Sequence, residues 1–142
     1  MGTDTAAVLR PIYEAYARGD MPTVFGALAE DVDWTSECRG GLPWGGCYSG
    51  AAGVTAYFER VSANIEIEEF EVQEIIAQGD RAAVLTRVTA RLRSTGQAMT
   101  LPKVDLVTVR DGKIASFSEF YDTATVVAAT SSAGGMAAAG AS

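Results

Sequence analysis

The chain has no histidine at all, and only two cysteines and four prolines in 142 residues. Without histidine there can be no Ser-His-Asp triad, no Cys-His pair and no imidazole-based metal site. Two cysteines are too few for a structural zinc centre, and Cys38 lacks a basic His partner to make it a nucleophile. Any proton transfer must use Asp, Glu, Tyr, Lys, Cys or water. Positive charge is scarce too: 11 Lys and Arg against 18 Asp and Glu give a formal net charge of −7. That balance argues against nucleic acid and anionic membrane as partners. The densest cationic cluster is Arg87, Arg91 and Arg93. No apolar run is long enough to span a bilayer, and the first residues lack the basic-then-apolar pattern of a secretory leader, so a cytoplasmic protein is expected. In a reducing compartment a Cys38–Cys47 disulfide is unneeded by a chain long enough to bury its own core.

What is present centres on Lys103 to Asp122. A β-branched run, Val104–Val109, and an alternating run, Ile114–Tyr121, flank Arg110-Asp111-Gly112-Lys113. Asp-Gly between apolar runs is a strong hairpin signal. Alternation puts Ala115, Phe117, Glu119 and Tyr121 on one face, so a carboxylate sits between two aromatics on a face that reads as buried. Asp105 interrupts the facing strand in the same way. Two acids inside one apolar hairpin are the chief anomaly of the sequence.

The spacing predicts a helix over residues 4–18, capped by Thr3 or Asp4 and starting late or bending at Pro11, and a second over Pro22–Leu28. A short strand, Val32–Ser36, follows. Residues 37–50 form a Gly/Pro-rich loop carrying Trp44 and Tyr48, either the rim of a site or an ordinary surface loop pinned by Trp44. A third helix is expected over Ala51–Ala63. Strands follow over Ile65–Ala77, bent or bulged near Glu69, then Ala82–Arg93, Ala98–Val109 and Ile114–Tyr121. In the third-last of these, Ala83, Leu85, Arg87, Thr89 and Arg91 share a face. Asp122 reads as a helix cap or strand-end acid. The domain is placed at residues 1–129, with an Ala/Gly/Ser-rich tail at 130–142. Helices followed by a long meander make an α+β fold: a curved antiparallel sheet wrapped around three N-terminal helices, open at one end as a cone.

Three stretches resemble the SnoaL-like branch of the nuclear transport factor 2-like superfamily: YEAYARGD with LAEDVDW, LPWGGCYSGAAGVTAYFERV, and VTVRDGKIASFSEFYDTATV. The resemblance implies a cone-shaped α+β barrel with an apolar pocket and a homodimer through the convex sheet face. The superfold hosts cyclases, isomerases, epoxide hydrolases, dehydratases and non-catalytic binders. Aligned on the closing hairpin, Glu119 falls where limonene-epoxide hydrolase-like enzymes keep a water-activating Asp. Arg87 falls on the Arg of their Arg-x-Asp pair, which here reads Arg87-Val88-Thr89; Asp105 is the available substitute for the missing acid. The phenol donor of ketosteroid isomerase aligns with Ile12, one position from Tyr13, and its general base aligns near Ser36.

The candidate catalytic residues are therefore Glu119, Asp105 and Arg87. Each has a structural alternative: an Arg ion pair for Glu119, a bridge to Lys103 or Arg87 for Asp105, and a solvated sheet face for Arg87. Tyr16, Trp34, Trp44, Tyr57, Thr89, Phe117 and Tyr121 are the candidate substrate-binding residues, the aromatics serving otherwise as core. The leading expectation is an acid/base enzyme without cofactor or metal, acting on an apolar small molecule. Because the Arg-x-Asp pair is broken, cyclisation or isomerisation of a polyketide-like natural-product intermediate is favoured. An epoxide hydrolase and a non-catalytic apolar-ligand binder are the alternatives.

Overall fold

Helix α1 (Thr5–Ala17) begins where the Asp4 side chain accepts from the Ala7 N–H, at 3.2 Å, satisfying one donor that the first turn leaves free. In the computed structural model, which describes residues 4–38 and 41–130, α1 starts at Thr5 and continues through Pro11. Its apolar side, with Leu9, Ile12, Tyr13 and Ala15, is buried. Helix α2 (Met21–Gly26) is short, capped by Asp20 and ends two residues before the expected Leu28. Ala27 caps its end, strand β1 (Leu28–Ser36) begins at the next residue, and strand β2 (Gly46–Ser49) lies inside the segment expected to be loop. Helix α3 (Gly50–Asn64) then leads to the long strands β3 (Ile65–Gln78), β4 (Arg81–Leu92), β5 (Ala98–Arg110) and β6 (Lys113–Tyr121). Residues 123–130 are helical, and the Asp122 side chain accepts from the Thr125 N–H at 3.0 Å, so Asp122 is the cap. The remainder of the tail placed at 130–142 lies outside the described residues. No helix among the described residues is long and apolar enough to cross a membrane.

The six strands form one sheet in the order β2-β1-β6-β5-β4-β3. It is mixed rather than wholly antiparallel, because β1 runs parallel to β6 while every other neighbouring pair is antiparallel. Asp111 and Gly112 both have positive φ (54° and 75°), the geometry of the two-residue hairpin turn expected of Asp-Gly. Register irregularities in β3, between Ile67 and Glu69 and between Val72 and Glu74, bend that strand near the expected position.

Pairing stacks the inward side chains in rows across the sheet. Ile67, Ala90 and Met99 form one row, and Phe70, Val88 and Leu101 the next. Below them come Val72, Thr86, Lys103 and Tyr121, then Ile75, Val84, Asp105, Glu119 and Ser36. The Val107–Phe117–Trp34–Tyr48 row follows. Helices α1 and α3 cover this concave face, and the core runs between them. The exposed large apolar side chains Ile76, Leu106 and Phe120 all lie on the other, convex face.

Candidate active site

Strand parity places Lys103 and Asp105, two residues apart on β5, on the same inward face. Antiparallel pairing sets Asp105 directly opposite Glu119 and Lys103 opposite Tyr121. Two carboxylates in facing positions would repel, and Lys103 resolves the conflict. Its Nζ donates to Asp105 Oδ1 at 2.6 Å and to Glu119 Oε1 at 3.2 Å. Asp105 and Glu119 are almost wholly buried, at 1% and 3% exposure.

The other carboxylate oxygens are also taken. Asp105 Oδ2 accepts from the Tyr13 hydroxyl of α1 at 2.7 Å. Glu119 Oε2 accepts from the Tyr57 hydroxyl of α3 at 2.7 Å and from the Ser36 hydroxyl of β1. Burial demands these partners, since an unpaired charge in an apolar interior is far costlier than a paired one. Burial also pushes the Asp105 carboxyl upward, against the pull of Lys103 and with Glu119 adding to it. Burial pulls the Lys103 ammonium down, yet Asp105 and Glu119 outweigh it and the net shift is upward. Lys103 therefore stays charged across the neutral range. Its Nζ also stands 5.5 Å from the Phe117 ring centroid and 5.9 Å from that of Phe70.

These groups floor an otherwise apolar cavity of about 120 Å³. Its walls include Tyr16, Trp34, Trp44, Tyr57, Phe117 and Tyr121, with Phe70, Val88, Ala90, Met99 and Leu101 toward the open end. Trp34 stacks on Phe117 at 3.7 Å between centroids and 12° between planes, while its indole N–H is buried without a partner among the described residues. Trp44 donates to the Tyr121 hydroxyl at 2.9 Å, tying the segment after β1 to the end of β6. Burial raises the Tyr16 phenol to about 12, and raises Tyr13, Tyr57 and Tyr121 as well. All four are hydroxyl donors at neutral pH. Cys38 and Cys47 are free thiols.

Glu119 and Asp105 thus meet in one cluster, with Tyr57 bonded to it and Tyr16, Trp34, Trp44, Phe117 and Tyr121 on the cavity wall. Arg87 and Thr89 do not join them. The inward residues of β4 are Ala82, Val84, Thr86, Val88 and Ala90, so the face read as inward points to the convex side. Arg87 is exposed there, and Thr89 bonds to Thr100 and to Glu69 on the same side. The cation at the carboxylates is Lys103, not Arg87. The sequence signal for it is the Lys-x-Asp spacing on a strand, which forces both side chains to one face. Tyr13 and Ser36 are the other members of the cluster that were not among the candidates. In β6, a register irregularity between Thr108 and Val109 of the partner strand lets Ile114 line the cavity alongside Phe117.

A family model described as SnoaL-like domain matches residues 9–117. No curated protein matches the chain. Among solved structures, a nuclear transport factor 2-like protein of unknown function from Burkholderia pseudomallei is 30% identical, with 89% of this chain and 96% of that one covered and a TM-score of 0.81. A nuclear transport factor 2-like protein from Burkholderia xenovorans is 31% identical over 91% of this chain and 99% of that one, with a TM-score of 0.78. TerC, co-crystallised with polyporic acid, is 26% identical over 86% of this chain and 94% of that one, with a TM-score of 0.77.

Proposed function

Because the chain belongs to the SnoaL-like domain family, we propose that it is an acid/base enzyme which cyclises or isomerises an apolar, carbonyl-bearing small molecule such as a polyketide-like intermediate. The observation carrying this reading is the buried Lys103–Asp105–Glu119 cluster on the floor of an apolar cavity. An acid/base group works best in a dry, fixed setting close to the proton it moves. Glu119 takes or relays the proton. Lys103 stabilises charge that develops on a substrate oxygen. Asp105, held by Tyr13, keeps Lys103 charged and in place. That TerC was co-crystallised with polyporic acid is in keeping with a small organic molecule in this cavity. With Arg87 on the convex face, an epoxide hydrolase would have to draw its cation from Lys103, which ranks that alternative lower. The homodimer expected from the resemblance has its natural place on the convex face, where Ile76, Leu106 and Phe120 are exposed.

One observation favours a second reading, a non-catalytic binder of an apolar ligand: all four carboxylate oxygens already accept hydrogen bonds. Proton exchange separates the two. An enolisable bicyclic ketone such as 2-tetralone is incubated with the protein in heavy water, and deuterium entry at the α-carbon is followed by NMR. The enzyme reading expects exchange that Glu119→Gln slows about 100-fold or more, while the probe still binds. Binding with equal, background exchange in both proteins overturns it in favour of the binder.

A further inference from the structure

Helix α3 buries Val54, Tyr57 and Val61, the spacing of a core-facing stripe. Phe58 stands on the flank of that stripe, towards α2, and is half-buried. Its ring meets those of Tyr57, Trp34, Tyr16 and Phe25 at 4.9, 5.7, 5.8 and 5.9 Å between centroids, always tilted or edge-on. On its inner side Phe58 lines the cavity. On its outer side it lines a groove of about 460 Å³ between α2 and α3, together with Met21, Phe25 and Ser62. Among the described residues it alone lines both. The groove stays open because α2 packs chiefly on α1.

A cavity of about 120 Å³ is of the size that holds a single benzene ring. A larger molecule needs one wall to yield. Tyr57 is tied to Glu119 and Trp44 to Tyr121 by hydrogen bonds, and Trp34 lies flat on Phe117. The inward side chains of the sheet are fixed by strand pairing. Phe58 has neither a polar tether nor a stacked partner, and space lies behind it. A change of rotamer takes its ring off the cavity wall while keeping it beside Met21 and Phe25, in apolar company.

We propose that Phe58 is a movable partition, and that the passage it clears joins cavity to groove, so that a ligand with one ring in the cavity extends a hydrocarbon arm between α2 and α3. The joined space is a minor conformation that such a ligand makes dominant. Met21, Phe25 and Ala63 make the groove largely apolar, and Glu59 is the one charged side chain lining it among the described residues. The arm is therefore uncharged or ends in a cation. This inference rests on the proposed use of the cavity for small molecules, but its test reads binding alone, so a protein that turns over nothing can still satisfy it.

Trp34 lines the cavity and touches Phe58, so its fluorescence reports occupancy. The probes are benzene, n-butylbenzene, 4-phenylbutylamine and 4-phenylbutyrate. A buried methylene is worth about fourfold in affinity, so n-butylbenzene should bind wild type about tenfold or more tightly than benzene. Ser62→Phe fills the groove from an exposed position and leaves the cavity wall intact. It should weaken n-butylbenzene about fivefold or more and leave benzene within about twofold. Phe58→Ala removes the partition and should tighten n-butylbenzene, a gain that Ser62→Phe takes away when the two are combined. With 4-fluorophenylalanine placed at position 58, n-butylbenzene should move the fluorine resonance towards its position in the unfolded protein, whereas benzene should not. The amine should outbind the acid, and Glu59→Gln should narrow the gap. If n-butylbenzene binds no more tightly than benzene, saturates the protein without moving the fluorine signal, or ignores Ser62→Phe, the partition does not open. If Glu59→Gln leaves the gap between amine and acid unchanged, the arm does not lie in this groove.

Discussion

Replacing Lys103 by Met keeps most of the apolar stem and removes the positive charge that bridges Asp105 and Glu119. The ammonium makes contacts of 2.6 and 3.2 Å to the two carboxylates, and its side chain is only 15% exposed. Removing one member of a buried ionic cluster typically costs about 3–5 kcal/mol. A second route gives the same figure. The strained pair can escape by taking up a proton, which costs about 1.4 kcal/mol for each pH unit between the ordinary carboxyl range near 4 and the working pH. At pH 7 that limits the loss to about 4 kcal/mol, a large part of the roughly 5–15 kcal/mol that holds a domain folded. The sign follows from the direction of the shift. In the variant a carboxyl is raised above its unfolded value, so its penalty is absent below about pH 4 and grows as pH rises. Urea unfolding of wild type and Lys103→Met at pH 7 and pH 5 checks both parts. The expected loss is about 4 kcal/mol at pH 7, of which about 2–3 kcal/mol is recovered at pH 5. A loss below about 1 kcal/mol at pH 7, or one indifferent to pH, would show that the cluster does not carry the charges described.

The phenols of Tyr13, Tyr16, Tyr57 and Tyr121 are raised by burial, so their stabilising effect is whole below about pH 10 and fades as pH climbs through the folded values. Spectrophotometric titration should show these four tyrosines resisting ionisation at pH 11 in the folded protein and ionising together when it unfolds. Free titration of all tyrosines near pH 10 with the fold intact would contradict their burial. On the convex face, Arg87→Ala and Thr89→Ala should each change stability by less than about 0.5 kcal/mol and leave α-proton exchange unaltered. A tenfold loss of exchange in Arg87→Ala would return that residue to the site.

Much of this architecture was legible in the chain. The Asp111-Gly112 turn, the Glu119 face of β6 and the α+β order follow from local chemistry and period-two alternation, and each is present. Arg87 went astray through resemblance. Within residues 82–93 the odd positions carry Arg87, Thr89, Arg91 and Arg93, while the even positions, Ala82, Val84, Val88, Ala90 and Leu92, are apolar but for Thr86, so alternation itself points Arg87 outward. Its place among the candidates came from the alignment with the epoxide hydrolases, and pairing with β5, which carries Asp105 and Lys103 on the inner side, bears out the alternation instead. Strand β2 hid for another reason: only four residues long, it lies in a Gly-rich segment and exists by pairing with β1. Tyr13 and Ser36 came up only beside the ketosteroid isomerase positions and carry no local signal of their own, since what makes them part of the site is a partner 92 or 83 residues away.

Those distances along the chain also bear on how the protein assembles. The hydroxyl bonds into the cluster come from α1, β1 and α3 and bridge 92, 83 and 62 residues. Contacts of that span must wait until loops of the same length have closed. The β5–β6 hairpin, by contrast, joins neighbours, so it brings Asp105, Glu119 and Lys103 together early, while water still solvates them. Desolvation falls at the final step, when the first and third helices close over the sheet and deliver their phenols as water leaves. The polar floor is thus a late-forming element, whose strength bears on the rate of opening more than on the rate of folding.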